Sequence, residues 1–457
     1  MYKYCQNAYT YLVKKPTHIA PLASFRFLFG LMMLVSIIRF WYNGWIYEQY
    51  VEPTYYFTYY GFGWVKPLGE WGIYALFTLM ALSSISVMLG WFYRWGAVLF
   101  FITFTYVELI DKTNYLNHYY FVSLVAFLTI WLPAHRFWSV DVWRKPNLRL
   151  TEVPSIFINI IRFQLGVVYF FAGIAKINSD WLLRALPMAI WLPAKADVPI
   201  LGGLFQQKWF AYLSSWFGCI YDCTIPFLLC FAKTRWLAYA AVVGFHLLTA
   251  ILFPIGMFPY IMILATLIFF PAKYHLKWQA WLLKPFQSLF KNKVPKKVNQ
   301  YQFDLSKWLQ YGFMLWIVWQ LVFPFRYLGY GGKLFWHEQG YRFSWRVMLM
   351  EKGGYVNFKV VDKTTGQSTV IQNDEYLTPN QIKQMSTQPD MILQFAHFLG
   401  EEYSKLGMKN IGVYCDSYVT LNARGSQLFI DPKVDLLSVD DSWQNKWWVM
   451  PFKDFNE

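Results

Sequence analysis

The chain has 457 residues, of which 56% are hydrophobic, 22% aromatic and only 15% charged, against roughly 25% charged in a soluble domain. That balance excludes a soluble globular enzyme. The net charge of +15 does not point to nucleic acid either, because residues 326–457 carry 14 Lys+Arg against 15 Asp+Glu and the positive excess lies in the apolar part, where cytoplasmic loops collect Lys and Arg.

Apolar runs able to cross a bilayer, about 17–25 residues each, fall at about 21–41, 71–92, 95–110, 117–133, 156–176, 209–231, 236–253, 255–271 and 308–325. The expected fold is a polytopic α-helical membrane protein of about nine transmembrane helices with a small C-terminal α+β extracytoplasmic domain, divided into residues 1–325 and 326–457. Basic residues cluster in alternate loops: Lys3, Lys14 and Lys15; Arg94; Arg136 to Arg149; Lys233 and Arg235; and eight lysines from Lys273 to Lys307, with 291–297 the densest. The opposite loop at 42–70 holds Lys66 against Glu48, Glu52 and Glu70. Membrane lipids are therefore one partner, with the N-terminus expected in the cytoplasm and the C-terminal domain outside it. The first apolar run begins near residue 20 and is long enough to remain as an anchor rather than a cleaved leader.

Along the chain, polar residues interrupt the apolar spans at four places. Asn117 and His118 enter a span at the end of Asp111-Lys-Thr-Asn-Tyr-Leu-Asn-His118; their plain reading is a hydrogen bond between packed helices. Lys176 ends the run Tyr169-Phe-Phe-Ala-Gly-Ile-Ala-Lys176, with no carboxylate at helical spacing before it. An ammonium at membrane depth costs roughly 2.5–3.5 kcal/mol, so such a lysine is a functional hypothesis, and a dry site favours the neutral amine, a base; the alternative is an amine snorkelling to the interface. The small residues before it, Gly173 among them, let a helix or a flat ring approach closely. His246 lies deep in an apolar helix, where a satisfied core histidine is the simple alternative. Phe253-Pro-Ile-Gly-Met-Phe-Pro-Tyr260 breaks a helix at depth, tolerated where the backbone packs in protein or lines a cavity, or else a kinked surface loop. Between the second and third of these, Ser179 to Trp191 reads as an interfacial helix capped by Ser179, with Arg184 on its polar face, forming a floor or lid beside Lys176.

From Arg326 onward the pattern alternates. Tyr355–Val361 with Gln367–Ile371, and Ile411–Leu421 with Ser426–Ile430, read as hairpins, and Gln381 to Leu406 reads as one helix. Five cysteines are too few for a disulfide framework, and Cys219 and Cys223 lack the spacing of a redox pair, so a reduced cofactor would be regenerated by a separate reductase. Seven scattered histidines show no metal-ligand spacing. An amine, an amide, two imidazoles and a broken helix in the outer half of one bundle suggest a cavity for a flat apolar ligand.

These stretches, with Ala134-His-Arg-Phe-Trp-Ser-Val-Asp141, Val168 to Trp181, Phe245-His246, Leu252 to Tyr260, Gly340-Tyr-Arg-Phe-Ser-Trp345 and Leu428-Phe-Ile-Asp-Pro-Lys-Val-Asp435, resemble in order the vitamin K-dependent γ-glutamyl carboxylases and their bacterial HTTM-type relatives. The resemblance implies that Lys176 deprotonates vitamin K hydroquinone, or a menaquinol-type relative, which reacts with O2. The resulting alkoxide removes a γ-proton from a peptide glutamate, and CO2 adds to give γ-carboxyglutamate and quinone epoxide, without a metal. It further implies that Asn117, His118 and His246 position or stabilise the oxyanion, and that Gly173, Gly256, Met257 and Phe258 hold the ring. Animal members place histidine and arginine near the glutamate; this chain offers Tyr327, Met350 and Lys352 there, with His337 and Arg346 nearby but unaligned, and lacks their longer C-terminal region. Tyr327, Arg346 and Lys352 are the expected substrate contacts. A bacterial plasma membrane is the expected location. Quinol epoxidation without a glutamate substrate, and non-catalytic lipid binding, are the alternatives.

Overall fold

A computed structural model describes residues 10–286 and 306–454; the lysine-rich stretch 291–297 lies outside the described residues. In chain order its longer helices are α1 (Ala20–Tyr42), α2 (Gly69–Leu89), α3 (Tyr93–Ile110), α4 (Asn117–Trp131), α5 (Ile156–Ala175), α6 (Lys208–Cys230), α7 (Arg235–Leu252), α8 (Phe258–Thr266), α9 (Ala272–Leu283) and α10 (Lys307–Val322), the last continued by a 3-10 turn to Gly329. Among the described residues seven of these, all but α4, α8 and α9, are long and apolar enough to cross a membrane. An eighth candidate exists only as the pair α8–α9, bent by 117°.

The expected nine spans are thus reduced to seven or eight, and prolines explain both differences. Residues before proline are driven out of the helical region: Leu132, before Pro133, is extended and ends α4 after 15 residues, about 22 Å at 1.5 Å per residue against a hydrocarbon core of about 30 Å. Phe270, before Pro271, is likewise extended and separates α8 from α9.

Close approach and buried polar contacts hold the bundle. A Cβ on Gly30 of α1 would lie 2.5 Å from the Met88 amide nitrogen of α2, so only glycine lets the two backbones meet there. Arg26, fully buried, donates to the Val87 and Met88 carbonyls in the last turn of α2 and to the Trp138 carbonyl, supplying donors where a helix end leaves carbonyls short of them. Gln164 of α5 accepts from Trp316 Nε1 and donates to Gln320 of α10.

Short strands β1 (Pro16–His18) and β2 (Glu152–Pro154) pair antiparallel. The C-terminal region forms an antiparallel sheet of β3 (Lys352–Asp362), β4 (Ser368–Val370), β5 (Ile411–Leu421) and β6 (Gln427–Leu428) in the order β4-β3-β5-β6. Both expected hairpins are present, β3 with β4 and β5 with β6; in addition β3 and β5 pair along their whole length, Lys352 opposite Leu421 and Asp362 opposite Ile411. The single helix expected over 381–406 is two, α11 (Pro379–Met385) and α12 (Pro389–Lys405). Pro389 forces Gln388 into an extended conformation. Alternating Val356, Phe358 and Val360 of β3 pack with Phe395 and Leu399 of α12 in a separate core.

Ion pairs fasten this unit to the membrane helices. Asp180, almost completely buried, accepts from both terminal nitrogens of Arg424 at 2.7 and 2.9 Å, from Asn422 at 2.9 Å and from Arg184 at 3.1 Å. Asp390 pairs with Lys112 at 2.9 Å and Arg342 at 2.7 Å, and Gln381 donates to Asp111 at 2.9 Å. Burial alone would raise the Asp180 carboxyl, but the hydrogen bonds from Arg424 and Asn422 and the charge of Lys333 outweigh it and hold it below the ordinary value. Arg424→Ala is expected to cost about 3 kcal/mol, the lower range for breaking a buried pair, measured as a reduced thermal midpoint in detergent. Because the folded carboxyl titrates below its unfolded value, the contribution is whole above about pH 4 and is lost as pH falls through the folded value. The gap between wild type and variant should therefore close on acidification.

Candidate functional site

The lysine at the end of α5 does not snorkel. Its backbone caps the helix, and its side chain turns to α6, where Nζ lies 2.7 Å from Asp222 Oδ2, with both side chains 8% exposed. Nζ also donates to the Ala172 carbonyl at 3.2 Å and sits 5.3 Å from the centre of the Trp181 ring. Local sequence makes the approach possible. A Cβ on Gly173 would lie 2.6 Å from Cys223 Sγ and 2.7 Å from the Cys223 amide nitrogen, and one on Gly218 would be 3.9 Å from Lys176 Cε. Gly173 therefore serves helix contact, and it does not face the cavity described next.

Beside the pair lies a cavity of about 110 Å³. Tyr169, Ala172 and Lys176 line it from α5, Gly218 and Asp222 from α6, and His246 and Thr249 from α7. Phe253, Ile255 and Phe258 line it from the broken segment, which bears out a cavity-lining role over a kinked surface loop. Trp181, Met188 and Trp191 form a further wall, so Ser179–Trp191 does border Lys176, though as two short helices, and Asn178 rather than Ser179 caps the first, its Oδ1 accepting from the Trp181 amide at 3.0 Å. Val347 and Met348 of the C-terminal region complete the lining.

His246 is 2% exposed. Its Nε2 lies 2.9 Å from the Tyr169 hydroxyl, while its Nδ1 is buried with no hydrogen-bond partner. Tyr169 and Asp222 were not singled out in the sequence. Asp222 stands 46 positions beyond Lys176 and only the crossing of α5 and α6 joins them; a lone aspartate within an apolar run was the available signal.

The other expected residues are placed differently. His118, in the first turn of α4, is buried but is not among the residues that line the cavity; the Phe258 ring packs against both it and His246, with centroids 5.7 Å from each. Asn117 accepts from Tyr115 at 3.2 Å and donates to the Arg346 carbonyl at 2.9 Å, tying α4 to the C-terminal region. Gly256 has a φ of +62° that favours glycine, and Met257 caps α8; of this group only Phe258 reaches the cavity. Arg346 is buried, with its guanidinium 4.2 Å over the Tyr327 ring and its Nε without a partner. Lys352 is held apart from these by Glu338 at 2.8 Å and the Trp336 carbonyl at 2.7 Å. Burial first, then the charge of Lys352, pushes His337 down to about 4, so its ring is neutral at neutral pH.

The chemistry available is that of an apolar, aromatic-walled pocket lined by a Lys–Asp pair and a Tyr–His pair. The imidazole nitrogen left unpaired has capacity for a further hydrogen-bond partner, since buried polar atoms are seldom left unpaired. Walls that are mostly apolar with a few polar groups are the usual composition of a small-molecule site.

Residues 14–274, more than half of the chain, match the family model described as the HTTM domain. Residues 305–455 match that described as vitamin K-dependent gamma-carboxylase, lumenal domain. No solved structure matches the chain.

Gly173→Ala is expected to force α5 from α6 and lower stability by about 1–3 kcal/mol, as overpacking does. Thermal unfolding in detergent measures this, and a midpoint equal to that of wild type would show that the helices part without cost.

Proposed function

The chain belongs to the vitamin K-dependent gamma-carboxylase family, and on that premise we propose that it is an integral-membrane carboxylase coupling oxygenation of vitamin K hydroquinone to its epoxide with addition of CO2 to the γ-carbon of peptide glutamate. The observation that carries this reading is the Lys176 amine, buried against Asp222 at the wall of an apolar cavity. Once bound, the hydroquinone supplies on oxygenation a base strong enough to remove the glutamate γ-proton.

The chain's own residues do the rest. Lys176 Nζ takes a hydroxyl proton, as a base excluded from water can. His246 Nδ1 meets a ring oxygen and Tyr169 fixes the imidazole through Nε2. Phe258, Trp181 and Trp191 exclude water and flank the ring. His118, one ring behind Phe258, and Asn117, bonded to the Arg346 carbonyl, act on the site's shape and on its junction with the C-terminal unit. Arg346, with an open Nε and next in sequence to the cavity-lining Val347, is the side chain we assign to the glutamate carboxylate, with Tyr327 beneath it; Lys352 serves only if Glu338 releases it.

In this reading residues 1–325 carry the quinol chemistry and residues 326–457 present the peptide from the non-cytoplasmic side, with the N-terminus in the cytoplasm by the asymmetry of Lys and Arg. The quinone is reduced by a separate reductase. A quinol oxygenase without glutamate substrate is the second reading, favoured by the engagement of Lys352 with Glu338.

The test is anaerobic loading of the purified protein with vitamin K hydroquinone, then O2, following epoxide and radiolabelled CO2 fixed on a glutamate peptide. Both products are expected, and both lost by about 100-fold or more in a folded Lys176→Ala variant. Epoxide that persists in that variant removes the assignment, and epoxide without fixed CO2 selects the second reading.

A further inference from the structure

Asp222 carries a chemical role that the proposed reaction leaves unassigned. Two buried aspartates near the site are built differently. Asp180 is saturated by Arg424, Asn422 and Arg184, the pattern of a permanent structural charge. Among the described residues Asp222 receives one hydrogen bond, from Lys176 Nζ, although it too is buried and borders the cavity. Removing a carboxylate from water costs several kcal/mol, and additional hydrogen bonds usually offset this. A carboxylate with a single donor is left with spare capacity to take a proton.

Resting on the quinol-binding reading above, we infer that Asp222 is the proton acceptor behind Lys176, a positioning residue through which the lysine acts as a relay rather than as the final base. Lys176 Nζ passes a proton to Asp222 Oδ2 along the 2.7 Å hydrogen bond and takes one from the quinol hydroxyl. One N–H and one O–H bond break, and one of each forms. The lysine ends as it began, an ammonium. The aspartate becomes a neutral acid, and the negative charge that leaves it reappears on the ring oxygen beside Nζ. The cavity holds one cation and one anion before and after, so no new charge has to be buried at the moment of transfer. A lysine acting alone from its neutral form would have to create both charges in an apolar pocket, which is the costly alternative.

The geometry supports the direction of transfer. Asp222 is fixed on the middle of α6, one turn beyond Gly218, against which the Lys176 stem and Trp181 pack. Trp181, held by its Nε1 hydrogen bond to the Ser215 carbonyl at 2.8 Å, flanks the amine. The pair can therefore exchange a proton without moving its heavy atoms.

Infrared difference spectroscopy of the wild-type protein in nanodiscs, recorded on anaerobic addition of vitamin K hydroquinone, reads the transfer directly. The expected result is a new carboxylic-acid carbonyl band that shifts with isotope-labelled aspartate and is missing from Asp222→Asn. Turnover in Asp222→Asn is expected to fall about 100-fold with the quinol KM little changed, and Asp222→Glu to recover most of it. Quinol binding without an aspartic-acid band overturns the inference, whether or not the Asn variant folds, and so does undiminished epoxide formation in Asp222→Asn. Should the band form in a protein that makes no epoxide, the role of Asp222 stands and the oxygenase reading falls.

Discussion

The contact between Lys176 and Asp222 sets the terms for the structure around it. Two opposite charges in an apolar bundle are a net burden unless they lie at hydrogen-bond distance, and that distance requires α5 and α6 to touch. Glycine at 173, with Cys223 against its backbone, makes the touch possible. The tryptophan wall, the broken segment before α8 and the residues that arrive from the C-terminal region all keep water from the same pair. Packing here follows electrostatics: the helices meet where the charges need them to.

Much of this was readable from the residues. Length and periodicity located the long spans, turn chemistry located both hairpins, and an isolated lysine and histidine in apolar runs marked two cavity-lining side chains. What could not be read was long-range pairing. Asp222 is one acidic residue in an apolar run, and nothing local says that it meets a lysine 46 positions earlier. The same limit hid the β3–β5 pairing, which joins segments some 50 residues apart, and the Phe258 ring against which both His118 and His246 pack. Local rules also failed where proline intervened. The period of 117–133 and of 381–406 suggested longer helices than Pro133 and Pro389 permit.

Charge is used in two distinct ways on the two sides of one short segment. Asp180 lies four residues after Lys176, and where Asp180 is locked by several donors, the carboxylate that Lys176 meets, Asp222, has one side-chain donor among the described residues. The locked charge keeps the C-terminal unit seated. The sparse one, Asp222, keeps acceptor capacity beyond its bond to Lys176. Asn178, between Lys176 and Asp180, caps the short helix that carries Asp180.

Val347 and Met348 come from outside the helical bundle yet border its cavity. Their neighbour Arg346 is bonded through its carbonyl to Asn117 at the mouth of α4. The C-terminal unit is consequently a stopper as well as a platform: whatever loosens its seat also unseals the chamber. The seal of the chamber therefore depends on buried ion pairs that stand outside its lining, those of Asp180 with Arg424 and of Lys112 with Asp390.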